Sequence, residues 1–110
     1  MNPRSLLVSI RRLAVGSMLA CFGLVSAANP ALARKYGCLG CHAVAAPLVG
    51  PAYQDVAAKY AGQADAVAIL VQSIRTGGSG RWGELAMPPQ PQVTPADAQK
   101  LAHWILGGAK

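Results

Sequence analysis

Apolar residues recur at helical spacing in four stretches of this chain, and the pattern lapses between them. The spacing predicts a first helix over about Pro30 to Leu39, with Asn29 as its N-cap and Pro30 as its first helical residue. Tyr53, Val56, Ala57 and Tyr60 share one face of a second, from about Ala52 to Tyr60. Val67, Ile69, Leu70, Val71 and Ile74 form a thick apolar stripe on a third, about Ala64 to Arg75, stopped by Gly77-Gly78. The fourth runs from Pro95 to Leu106. Thr94 caps it, Asp97 completes a near capping box, Leu101, Trp104 and Ile105 form its inner face, and Gly107-Gly108 ends it. The stretches Ala43 to Pro51 and Thr76 to Val93 carry no regular period, and the second is rich in Gly and Pro. The chain has no internal repeat and no low-complexity tract. The predicted class is all-α.

Much of the apolar excess lies in the first thirty residues, which read as a secretory signal. Arg4, Arg11 and Arg12 make the charged region, and Leu13 to Val25 the apolar one. That run is short for a membrane span, which needs ~20 apolar residues. Extending it to Ala33 meets Asn29 and Pro30, so an uncleaved anchor is the lesser alternative. Val25-Ser26-Ala27, Ser26-Ala27-Ala28 and Ala31-Leu32-Ala33 all suit a signal peptidase. The last would remove the first turn of the helix opened by Asn29 and Pro30, so cleavage is expected after Ala27 or Ala28. Cys21 lies inside the apolar run. Met18-Leu19-Ala20 before it is a poor lipoprotein box, so Cys21 is expected to be discarded with the signal. The domain division is therefore residues 1–28 as signal and 29–110 as a single small folded domain.

Charge is as uneven as hydropathy. The whole chain carries +6, but from Ala28 onward seven Lys/Arg face Asp55, Asp65, Glu84 and Asp97, which leaves +3. There is no basic stripe with interleaved aromatics, so nucleic acid is not an expected partner.

Cys38-Leu39-Gly40-Cys41-His42 is a C-x-x-C-H motif, the attachment pattern of c-type haem. Positions three apart on a helix face the same way, so both thiols can reach the vinyl groups on one porphyrin edge. The adjacent histidine can turn to the iron. Gly37 and Gly40 remove side chains where a flat macrocycle comes close to backbone. A thioredoxin-type redox pair would need a β-α-β context, and no strand-like run precedes Cys38. Structural zinc wants four ligands, which Cys38, Cys41, His42 and the distant His103 would have to supply. A plain disulfide leaves His42 unexplained. A covalently held haem also accounts for a core too small to be comfortable and a loop too long for a small domain.

The sixth iron position has two candidates. Met87, in Leu85-Ala86-Met87-Pro88-Pro89, is the only methionine after the signal, and two prolines stiffen the chain behind it. His103 follows the inner face of the last helix and is expected to point outward. With His42 and Met87 on iron the potential is raised and no open coordination position remains, which favours electron transfer over catalysis.

From Asn29 onward the sequence resembles the short bacterial class I cytochromes c, of the c-551/c-552 type. The resemblance rests on Gly37 to Ala43, Val49-Gly50-Pro51-Ala52-Tyr53 continuing to Tyr60, Gly80-Arg81-Trp82-Gly83, Met87-Pro88-Pro89 and Leu101-Ala102-His103-Trp104-Ile105. It implies about four helices wrapped around one haem c. It implies further that Pro51 offers its carbonyl to the His42 ring nitrogen facing away from iron, which fixes the tautomer. Trp82 would donate its indole N–H to a haem propionate, while a buried tryptophan would serve the core at the same time. The chain departs from the family at Glu84-Leu85-Ala86, where a proline-rich approach to the methionine is common. Glu84 would there lie near a propionate.

The expected function is that of a monomeric periplasmic electron carrier. It would pass single electrons between respiratory complexes and periplasmic reductases or oxidases, with no stable membrane insertion after signal cleavage. The alternatives are a haem subunit of a larger oxidoreductase, or a weak peroxidase should Met87 not ligate iron. Ala45 to Val49, with Ala86, Pro88 and Pro89, are the expected apolar contact surface for partners.

Overall fold

The computed structural model of the chain describes Gly16 and residues 28–110. The stretch read as an export signal, with Arg4, Arg11, Arg12 and Cys21, lies outside the described residues. Four α-helices follow in order: α1 (Ala28–Lys35), α2 (Tyr53–Lys59), α3 (Ala66–Thr76) and α4 (Pro95–Leu106), with a short 3-10 turn, Cys38–Gly40, after α1. Among the described residues the sole strand-like feature is a single antiparallel bridge between Gly78 and Met87. The all-α expectation holds.

α4 is the axis of the fold, and α1, α2 and α3 all pack against it. Its sequence explains why it begins and ends where it does. The Thr94 side chain accepts a hydrogen bond from the Asp97 N–H at 3.1 Å, and Pro95 occupies the first turn, where its missing N–H costs nothing. At the other end Gly107 closes the helix with its N–H on the His103 carbonyl at 3.0 Å. Ala98, Leu101, Ala102, Trp104 and Ile105 are buried, and His103 between them is exposed, as its position on the helix requires. α2 contributes Tyr53 and Val56 to the same core, and α3 contributes Ala66, Leu70 and Ile74.

Two boundaries differ from the sequence reading. α1 begins at Ala28, which places Asn29 inside its first turn rather than at the cap, and it stops at Lys35 instead of running to Leu39. The stop lies with Gly37, whose φ of 73° is left-handed and ends the helical path before the cysteines. α3 starts two residues later than expected, because the chain turns from Tyr60 through Gln63, and Asp65 makes no side-chain capping bond.

Candidate haem site

The left-handed turn at Gly37 sets Cys38, Leu39 and Gly40 into one turn of 3-10 helix. Its hydrogen bonds run from Gly40 N–H to Gly37 O (3.2 Å), Cys41 N–H to Cys38 O (3.2 Å) and His42 N–H to Cys38 O (3.0 Å). Side chains three apart eclipse in this geometry, more nearly than on an α-helix, so Cys38 and Cys41 share a side. Both thiols are free; Cys38 is half-buried and Cys41 exposed. Burial pushes the Cys38 thiol above its ordinary range, against a smaller opposing effect from a backbone hydrogen bond and from Tyr53. Among the described residues no strand precedes Cys38, so the β-α-β setting of a thioredoxin-type pair is absent there. The zinc alternative fails on position. Among the described residues no group of three or more His, Cys, Asp or Glu could hold a metal, and His103 is exposed on α4.

The loop after His42 folds back on the motif. Gly50 donates its N–H to Cys41 O at 2.7 Å, and Tyr53 and Gln54 donate to the carbonyls of Ala43 and Val44 at 2.9 and 3.0 Å. This return brings Pro51 O to 2.8 Å from His42 Nδ1. A carbonyl only accepts, so Nδ1 carries the proton and Nε2 keeps its lone pair. The imidazole is held on its face as well: the Tyr53 ring stacks on it with centroids 5.2 Å apart and planes 16° from parallel, and Trp104 meets Tyr53 edge-on at 5.4 Å. Burial pushes the Tyr53 phenol well above the usual tyrosine range, so it stays neutral. Gly50 completes the seat. A Cβ there would lie 2.8 and 2.9 Å from the two ring nitrogens of His42, where no side chain fits.

A cavity of about 760 Å³ opens beside this seat, and Cys38, Cys41, His42, Pro51, Trp82 and Met87 all line it. Val56 of α2, Leu70 and Ile74 of α3, and Leu101 and Ile105 of α4 supply apolar wall. The size falls within the roughly 300–1,000 Å³ usual for sites that bury a cofactor-sized molecule. Two thiols on one turn, an imidazole with a free Nε2 and a thioether around an apolar cavity form a donor set that fits a haem. His103 is not part of the lining.

Met87 is fixed by its main chain. It exchanges both backbone hydrogen bonds with Gly78, at 2.8 and 3.0 Å, and it is partly buried. Trp82 lines the cavity and is 42% exposed. It lies in the loop between Gly78 and Met87, with Lys59 Nζ 4.4 Å from its ring centroid and the same amine donating to Arg81 O at 2.5 Å. Glu84 lines the cavity from that loop and is exposed. Sequence reasoning missed Gly50, the stacking role of Tyr53 and the Lys59–Trp82 contact. Gly50 and Tyr53 lie in the stretch from Val49 to Tyr60 that carries the family resemblance, but neither residue type signals a role at the site by itself.

The cytochrome c family model matches residues 27–109. The chain belongs to the cytochrome c family. Its relatives include cytochrome c-552 of Hydrogenobacter thermophilus, 53% identical over 91 residues that cover 81% of this chain and 92% of that one. Cytochrome c-551 of Pseudomonas aeruginosa is 46% identical over 106 residues, 96% and 97% of the two chains. The crystal structure of Nitrosomonas europaea cytochrome c552 superposes with a TM-score of 0.70 at 49% identity, covering 71% of this chain and 96% of that one. A cytochrome c binds haem c covalently, and a small monohaem cytochrome of this type transfers electrons rather than catalysing a reaction. No described helix is long and apolar enough to cross a membrane.

Proposed function

We propose that this cytochrome c is exported to the periplasm, cut after Ala27 or Ala28, and works over residues 29–110 as a monomeric carrier of single electrons. It serves respiratory complexes on one side and periplasmic reductases or oxidases on the other. Cys38 and Cys41 form the thioethers, His42 and Met87 ligate iron, and Trp82 reaches a propionate. The observation that carries this reading is His42, with Nδ1 tied to Pro51 O at 2.8 Å, facing the cavity that Met87 also lines.

Haem c, when bound, supplies a one-electron iron couple. The chain's own residues do the rest. Pro51 O fixes the His42 tautomer and orientation and strengthens the imidazole as a donor. Tyr53 and Gly50 keep the ring from rotating or retreating. With His42 and Met87 as its ligands the iron would have a raised potential and would offer no coordination position to substrate. The apolar walls from α2, α3 and α4 keep water from the group, which limits reorganisation when its charge changes.

The test is made on the exported protein. Acid–acetone extraction should leave the haem on the polypeptide, and the intact mass should equal the chain from Ala28 or Asn29 plus one haem. The peptide containing Cys38 and Cys41 should carry it. A potentiometric titration should follow a single one-electron step. Extractable haem, or a mature chain that begins at Arg34, would contradict the proposal.

A further inference from the structure

The segment that presents Met87 is held from behind by two glycines at the end of α3. Gly77 has φ 67° and Gly78 φ 139°, both in the region that favours glycine. Gly78 donates to Met87 O at 3.0 Å and accepts from Met87 N–H at 2.8 Å, so both polar groups of the Met87 main chain are engaged. Gly77 lies directly behind the following peptide. A Cβ there would strike the Met87 carbonyl oxygen and lie 2.7 Å from Pro89 N and 2.8 Å from Pro88 C. Those neighbours are backbone atoms of a Met-Pro-Pro segment, which cannot swing aside as a flexible side chain would. A Cβ on Gly78, by contrast, meets nothing within 4 Å. The far end of the segment is anchored to α3 as well: Gln90 donates its N–H to Ile74 O at 3.1 Å, and Arg75 Nε donates to Val93 O at 3.1 Å.

We propose that Gly77 and Gly78 are positioning residues for Met87: the paired backbone bonds and the bare Cα of Gly77 set how far the methionine enters the cavity. The inference rests on Met87 as an iron ligand, and it adds that the ligand's place is dictated by α3 through main-chain contacts. A chain with the same methionine and prolines but a side chain at position 77 has the ligand pushed away from its place. The paired bonds and the ligand bond then support each other, and breaking either loosens the other.

Two variants separate this from a general loss of stability. Gly77→Ala and Gly62→Ala, the latter in the turn between α2 and α3, both place alanine at a positive φ, and both cost stability. Only Gly77→Ala meets the Met87–Pro88 peptide. In the haem-loaded protein, Gly77→Ala should weaken the sulfur-to-iron absorption band of the ferric form and lower the potential. It should also speed cyanide uptake by the ferric iron, on the order of tenfold. Gly62→Ala, whose Cβ meets nothing within 4 Å and which lies away from the Met87 segment, should keep the wild-type band, potential and cyanide rate. Equal effects in the two variants, or a Gly77→Ala protein identical to wild type, overturn the proposal. A Met87→Ala control keeps the two questions apart: if it too leaves band and potential unchanged, the ligand assignment has failed rather than the brace. Should Gly77→Ala not fold, hydrogen exchange on the wild type decides. The Gly78 and Met87 amides should be protected in the native ferric protein and exchange faster once cyanide occupies the iron. Unchanged exchange would overturn the coupling.

Discussion

Single residues around His42 divide into those that act through a side chain and those that act through their backbone or through having no side chain. Pro51 is of the second kind, because the atom that meets His42 Nδ1 is its carbonyl oxygen. Pro51→Ala keeps that acceptor, so the potential should stay near the wild-type value; a large fall in a potential titration would show that the ring, not the carbonyl, matters. Gly50 is more demanding. Adding a methyl forces it against the His42 ring nitrogens, and overpacking of this sort costs about 1–3 kcal/mol. Gly50→Ala should lower the unfolding free energy from a guanidinium titration by that amount and perturb the ferric spectrum, whereas an unperturbed spectrum would mean that the histidine seat is looser than its geometry implies. The C-x-x-C-H motif made the chemistry legible from sequence. The glycine that shapes the seat was not legible, since a Gly-Pro pair after an irregular loop reads equally well as an ordinary turn.

At the scale of elements, α4 lies within its expected limits because signals of both kinds coincide there: a threonine cap with proline behind it, and glycine at the end. The cap has a measurable consequence. Thr94→Ala should cost about 1 kcal/mol in denaturant unfolding with an unchanged slope. Asp65 stands at the start of α3 without a capping bond, and Asp65→Ala should stay within about 0.5 kcal/mol of wild type. Equal costs would mean that the Thr94 bond is not what anchors α4. α1 was harder to read. Periodicity carries on through Leu39, but Gly37 adopts a left-handed conformation, and one residue of that kind ends a helix whatever follows. The length of the irregular stretch from Thr76 to Val93 points to a functional loop, yet the bridge between Gly78 and Met87 depends on two backbones brought together by the fold, and no side-chain pattern announces it.

For the whole molecule, three helices lean on α4, and two of them, α2 and α3, wall the cavity together with it. Leu101, 1% exposed, belongs to both the core and the lining. Leu101→Ala should therefore cost about 2–5 kcal/mol, read from chemical unfolding of the haem-loaded protein; a smaller loss would mean that the cavity wall collapses to fill the space. Leu48, Val49 and Leu85 of the cavity lining are 57%, 60% and 72% exposed, while residues 28–110 carry a charge of only +3. Electrostatic steering toward a redox partner should be mild, so electron-transfer rates should change only modestly with ionic strength, and a steep fall with salt would reveal a charged docking surface. The central claim is that Met87 completes the iron coordination begun by His42. Its most direct test is the ferric absorption spectrum with a potential titration for wild type, Met87→Ala and Met87→His. The account predicts loss of the sulfur-to-iron band in both variants and a lower potential in both. It also predicts an iron open to cyanide and carbon monoxide in Met87→Ala alone; an unchanged spectrum and potential in Met87→Ala would contradict it.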